Sequence, residues 1–223
     1  MRRDELNDSH GRRFHYLRLS LDDACDLRCL YCLPNGWRRT STEAPLSLDE
    51  IKRLVAGFAE LGFWKVRLSG GEPTVRRDLV EIARAAAQTP GIRTVALSSN
   101  GRRLAGMASE LAAAGISAFN ISVDSLDPVR FETITGAKLS EVWAGVERCL
   151  ELGLKTKLNC VLLRGLNEQD WDGFVALTER LPLSVRFIEL MQTGENKEFF
   201  SERHCSAAGL VSRLLDEGWL EDP

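Results

Sequence analysis

Lys65-Val-Arg-Leu-Ser-Gly-Gly-Glu-Pro-Thr-Val-Arg-Arg-Asp-Leu-Val-Glu-Ile-Ala-Arg-Ala-Ala-Ala-Gln88 reads as one βα unit with a two-faced strand. Lys65, Arg67 and Ser69 alternate with Val66 and Leu68, a period of two that puts them on opposite faces. Gly70-Gly71 ends the strand, and from residue 77 the apolar residues return at helical spacing. A strand covered by helices on both faces reads as a near-continuous apolar run. This one carries charge on one side.

The unit recurs. Strand patterns fall at 14–20, 65–69, 94–98, 118–123, 155–162 and 185–190, with helical patterns at 47–61, 77–88, 103–114, 138–152, 168–181 and 206–217. Ser47 and Glu50 form a capping-box pattern, and Gly62, Gly115 and Gly153 follow helical periodicities as C-terminal glycines. Strands alternating with helices imply a parallel sheet. Tyr16, Arg18 and Ser20 oppose Leu17 and Leu19; Asn120, Ser122 and Asp124 oppose Ile121 and Val123; Lys157 and Asn159 flank Leu158. Polar residues on one face of strand after strand imply a curved sheet whose concave side lines a polar cavity. Polar residues that merely sit near strand ends would make no such cavity. The expected fold is α/β, a partial (β/α)6 TIM-type barrel with an open parallel sheet and helices outside. It forms a single domain over residues 1–223, with 1–13 as an N-terminal tail.

Hydrophobic residues are 44% and charged residues 27% of 223, with a net charge of −3, so no global basic field favours nucleic acid or an anionic membrane. Any bound anion needs a local basic cluster. Met1-Arg-Arg-Asp-Glu-Leu-Asn-Asp8 has no apolar export segment, and no run reaches the ~18 apolar residues of a membrane span. The expected setting is cytoplasmic and reducing, where clustered cysteines are metal ligands before they are disulfides.

Three of the six cysteines, Cys25, Cys29 and Cys32, follow the first strand, at the end where barrels build active sites. Structural zinc wants four ligands, and neither His15 nor His204 has ligand spacing to this triplet. Thiolates also suit iron–sulfur clusters, and three of them on a [4Fe–4S] cluster leave one iron open to a small molecule. Cys149 and Cys160 fall in apolar patterns as small buried hydrophobes, and Cys205 beside His204 has no ligand set around it. The pairs Arg12-Arg13, Arg38-Arg39, Arg76-Arg77 and Arg102-Arg103 read as solvated charges.

Cys25-x3-Cys29-x2-Cys32, with Tyr31 before the last cysteine, resembles the signature of the radical S-adenosylmethionine (SAM) superfamily, and Gly70-Gly-Glu-Pro73 resembles its GGEP motif. Tyr16-Leu-Arg-Leu-Ser20, Ser98-Ser-Asn-Gly101, Asn120-Ile-Ser-Val-Asp-Ser-Leu-Asp127 and Arg186-Phe-Ile-Glu-Leu-Met-Gln-Thr-Gly194 are similar to the GTP 3′,8-cyclase family of molybdenum cofactor (molybdopterin) biosynthesis. The resemblance runs from about Phe14 to Trp219. It implies a lyase that converts GTP to (8S)-3′,8-cyclo-7,8-dihydroguanosine 5′-triphosphate with a [4Fe–4S] cluster and SAM. By that resemblance Cys25, Cys29 and Cys32 hold the cluster, and Tyr31, Gly70, Gly71, Glu72, Ser98, Ser122 and Met191 contact SAM. Arg18, Lys65, Arg67, Lys157 and Arg186 contact GTP. Ser98 stands where the family has Thr, keeping the hydroxyl.

The implied partners are GTP and a flavodoxin-like or other reductant, with no nucleic acid or membrane; a homodimer is compatible. Family members continue beyond the equivalent of Asp222-Pro223 with a second three-cysteine [4Fe–4S] site and a Gly-Arg-rich tail. Two expectations follow for the present chain, a piece of such a protein or a short relative. In both, SAM binding and reductive cleavage belong to these residues; GTP cyclisation by this chain alone is not implied, and a short relative would have an altered function. Two further readings stand beside this one: a short radical SAM enzyme acting on another phosphorylated or peptide substrate, and a non-catalytic iron–sulfur or zinc module.

Overall fold

The computed structural model describes residues 6–39, 42–193 and 196–221; residues 1–5 of the expected tail and the terminal pair Asp222-Pro223 lie outside them. Six parallel strands form one sheet in sequence order: β1 (Tyr16–Ser20), β2 (Lys65–Ser69), β3 (Thr94–Ser99), β4 (Ile116–Ser122), β5 (Lys155–Leu162) and β6 (Leu183–Glu189). Neighbouring parallel strands require crossovers. These are supplied by α1 (Leu48–Glu60), α2 (Leu79–Gln88), α3 (Leu104–Ala113), α4 (Pro128–Thr135), α5 (Leu139–Glu151) and α6 (Trp171–Arg180). After β6 come α7 (Lys197–Arg203) and α8 (Ala208–Asp216). β1 and β6 are the two edges, so the sheet is open, as the partial barrel requires.

The core lies between the sheet and its helices. Val66, Leu68, Val95, Leu97, Phe119, Ile121 and Leu158 are buried there with Ile51, Val55, Leu79, Ile82, Leu104, Leu111, Val142 and Val146 from the helices. Cys149 and Cys160 are buried among them, as their apolar surroundings suggest. Phe174 of α6 meets Phe187 of β6 edge-on at 5.9 Å, which covers the last strand. The capping box on α1 is present, with Ser47 Oγ accepting from the Glu50 amide and Glu50 accepting from the Ser47 amide. Gly62, Gly115 and Gly153 follow their helices at φ 91°, 104° and 66°, conformations that a Cβ disfavours.

Three elements differ from the expected set. α4 was not among the expected helices, although its signals stand at the right positions: Asp127 Oδ1 caps the Arg130 amide at 2.8 Å, Pro128 opens the helix, and Gly136 ends it at φ 74°. α7 is the second addition. The pattern at 168–181 divides into a 3₁₀ turn, Glu168–Asp170, and α6. Arg76 is not solvated either. It holds Asp78 at 2.7 Å and donates to the carbonyls of Leu21 and Leu46 at 2.9 and 2.6 Å.

Candidate functional site

The segment after β1 that carries the cysteines is pinned from several sides. The Leu21 amide donates to Ser69 at 2.8 Å, and the amides of Gly71 and Glu72 donate back to Asp22 and Ala24 at 2.8 and 2.7 Å. On the opposite side the amides of Arg28 and Leu30 donate to Thr135 and Ile134 at the end of α4. Asp26 accepts from Asn100 Nδ2 at 2.8 Å and from Arg103 at 3.1 Å. Close approach explains the two glycines. A Cβ on Gly70 would stand 2.4 Å from the Asp22 carbonyl oxygen, and one on Gly71 would stand 2.3 and 2.4 Å from those of Asp23 and Ala24.

Glu72 has a structural task of its own. It does not line the cavity described below. Its carboxylate is buried and accepts from the Thr74 amide and hydroxyl, Ser99 Oγ and the Asn100 amide at 2.9, 2.6, 2.8 and 2.5 Å. Burial pushes its pKa up, against the pull of those hydrogen bonds. Glu72 therefore clasps the β2 turn to the end of β3, with three donors on Oε1 and one, the Asn100 amide, on Oε2.

A cavity of about 310 Å³ opens at the C-terminal ends of the strands. Cys25, Cys29 and Cys32 face it together with Tyr31, Gly70, Gly71, Ser98, Ser122 and Arg18, so most of the expected SAM contacts share one space with all three thiols. Met191 stands apart. It is 75% exposed and lines an adjoining apolar recess of about 210 Å³ with Tyr31, Val161, Ile188 and Leu190. Burial raises the pKa of all three thiols, with further upward pressure on Cys25 from Glu72 and on Cys29 from Asp124. Thiols held protonated in this way become thiolates when a metal supplies the positive charge. Among the described residues no three His, Cys, Asp or Glu close on one ion. Three cysteines around a shared cavity instead suit a multi-iron cluster, in which each thiolate takes its own iron.

Asp124 is a further site residue, outside the expected set. It is buried at the β4 tip, and the continued alternation through Asn120 and Ser122 was the available signal. Tyr31 Oη donates to its carboxylate at 2.7 Å, and so does the Val161 amide at 2.9 Å. Asn167, also buried, donates to the carbonyls of Asp124 and Val161 at 2.6 and 2.7 Å and accepts from the Leu163 amide at 2.9 Å. The tips of β4 and β5 and the cysteine segment are thus one connected network. Desolvation pushes the Asp124 pKa up to about 6.

Below the cavity, on the inner face, the basic residues gather. Lys157 has its pKa lowered first by burial and then by the charges of Arg186, Arg67 and Lys65, so all three lie within electrostatic reach of it. Arg18 donates to Ser69 Oγ at 3.2 Å and Arg67 to Ser98 Oγ at 3.3 Å. Among the described residues none of the five makes an ion pair with a carboxylate. The obvious internal candidates, Glu72 and Asp124, are engaged elsewhere. Arg67 Nε and Asn159 Oδ1 are buried with no hydrogen-bond partner, a donor and an acceptor that a ligand would satisfy.

Comparison with known proteins agrees with this geometry. The model of the radical SAM superfamily matches residues 19–178. The chain belongs to that superfamily. Its members use a [4Fe–4S] cluster and SAM, the group to which the three thiols and their cavity are suited. GTP 3′,8-cyclase of Aeromonas hydrophila is 51% identical over 223 residues, and that of Tolumonas auensis is 47% identical over 218. Each alignment takes in 97% of this chain, which spans 65% of the length of either relative. Among solved structures, Streptococcus suis SuiB bound to S-adenosylmethionine superposes with a TM-score of 0.71 at 18% identity, covering 91% of this chain and 46% of that one. The anSMEcpe structure with bound AdoMet gives 0.64 at 16% identity, over 91% and 59%. These two likenesses concern the fold.

Proposed function

We propose that this chain is the SAM-cleaving core of a GTP 3′,8-cyclase, folded as one unit, that initiates conversion of GTP to (8S)-3′,8-cyclo-7,8-dihydroguanosine 5′-triphosphate. The observation that carries the reading is a cluster of cations without carboxylate partners on the same inner sheet face that ends in the three-thiol cavity. Relatives named GTP 3′,8-cyclase support the choice of nucleotide.

In this reading Cys25, Cys29 and Cys32 would hold the cluster, which when bound would supply the single electron that cleaves SAM reductively. The amides of Gly71 and Glu72 hold the turn in place through Asp22 and Ala24, and the Gly70 and Gly71 carbonyls would accept from the SAM ammonium. Ser98 and Ser122 donate to its carboxylate and ribose. Tyr31, Val161, Ile188 and Met191 take the adenine into their apolar recess. Lys65, Arg67, Lys157 and Arg186, with Arg18 between them and the cavity, neutralise the triphosphate, and the sugar then lies beneath the SAM site. That order would turn the ribose towards the SAM cavity, and the filled cavity would exclude water. Cys32 is the exposed cysteine, and its edge is where a flavodoxin-like reductant approaches. A cytoplasmic setting keeps the thiols reduced.

The test uses the reconstituted, reduced chain with SAM and GTP carrying deuterium at C3′. Deuterium in the 5′-deoxyadenosine supports the reading. 5′-Deoxyadenosine formed without deuterium transfer overturns GTP as the substrate and favours another phosphorylated molecule.

A further inference from the structure

We infer that Tyr16 is a positioning residue of the anion site, whose ring holds Lys65 and Arg67 side by side for a polyphosphate. The inference rests on the nucleotide reading above and goes beyond it, since that reading gives Tyr16 no role. In the sheet register Tyr16 lies directly across from Lys65, and Arg18 lies across from Arg67. Arg67 is therefore the diagonal neighbour of Tyr16 on the same face, within reach of a large side chain. The Lys65 ammonium stands 5.2 Å and the Arg67 guanidinium 5.8 Å from the Tyr16 ring centroid. Both lie inside the roughly 6 Å range over which a ring quadrupole attracts a cation.

Holding these two together has a physical purpose. Lys65 and Arg67 sit two residues apart on one strand face, both close enough to act on the charge of Lys157, and like charges with no carboxylate between them spread apart. A carboxylate in the position of Tyr16 would collect the cations but would also repel the phosphates. An aromatic face attracts the cations and carries no net charge, so the positive potential stays available to the ligand. Tyr16 suits this as a residue at the rim: it is 41% exposed, its hydroxyl makes no hydrogen bond among the described residues, and no core packing depends on it.

The test compares wild type, Tyr16→Phe and Tyr16→Leu by calorimetric titration with GTP, alongside SAM binding and thermal unfolding of each variant. Tyr16→Phe keeps the ring and should bind GTP within about 2-fold of wild type, whereas Tyr16→Leu should bind about 3- to 10-fold more weakly. SAM affinity and melting temperature should not move in either, because the ring lies outside the SAM cavity and the core. GTP binding by Tyr16→Leu equal to wild type, or the same loss in Tyr16→Phe as in Tyr16→Leu, would overturn the role of the ring. Wild type that binds SAM but not GTP would overturn the nucleotide reading instead.

Discussion

Replacing Gly71 with alanine should detach the cysteine segment from the sheet while leaving the rest of the fold intact. The new Cβ would lie 2.3 Å from the Asp23 oxygen and 2.4 Å from the Ala24 oxygen, both on backbone that no rotamer change can move. Relief requires residues 22–24 to retreat by about 1 Å, which stretches the hydrogen bonds Gly71 N to Asp22 O and Glu72 N to Ala24 O. Two such bonds are worth about 2 kcal/mol, or a fall of roughly 4–8 °C in melting temperature for a chain of this size. The functional loss should be larger, because Cys25 follows Ala24 directly and an ångström of misplacement can lower a rate about 100-fold. The assay is anaerobic iron–sulfide reconstitution, read as iron per chain and charge-transfer absorbance, with differential scanning fluorimetry. Gly57→Ala is the control. Gly57 lies in the exposed part of α1, where a Cβ meets nothing within 4 Å, so its melting point should hold or rise slightly. Gly71→Ala protein that melts with wild type and takes up iron normally would refute the close-approach argument.

Three other outcomes follow from the same contacts. The Asp124 pKa rises from 3.8 to about 6, so between those pH values the folded apo chain keeps a proton that the unfolded chain has lost. Stability should therefore fall as pH rises through that window, by roughly 3 kcal/mol at most, and Asp124→Asn should flatten the profile measured by urea unfolding under reducing conditions. Lys157→Met should weaken GTP binding by about 10- to 100-fold and leave SAM binding unchanged in calorimetry, since it removes a charge-assisted contact to the phosphates. Asn167→Ala should lose three buried hydrogen bonds and lower the melting temperature by at least about 6 °C, with no pH dependence of its own.

The sheet was legible because period-two alternation is a local signal, and the polar face of each strand reports its cavity side directly. Lys65–Ser69 and Lys155–Leu162 match their expected limits for that reason. α4 was harder to see: it is short, and its buried apolar residues Phe131 and Ile134 alone make no stripe, so only Asp127-Pro128 and Gly136 announce it. The cysteine triplet and Gly70-Gly71 were visible as motifs. What their glycines do was not, because it depends on where residues 22–24 lie in space. The same is true of Glu72, whose four donors come from residues 74 to 100, and of Asp124, whose partners Tyr31 and Val161 are brought to it only by the sheet.

The central question is whether Cys25, Cys29 and Cys32 make this chain a SAM-cleaving centre. Quantifying 5′-deoxyadenosine by mass spectrometry after anaerobic reconstitution and reduction with SAM, for wild type and for a variant with all three cysteines changed to alanine, tests that. Catalytic accumulation in wild type and none in the variant is the predicted result. A folded, iron-loaded wild type that forms no 5′-deoxyadenosine, or a triple variant that forms as much, would contradict it.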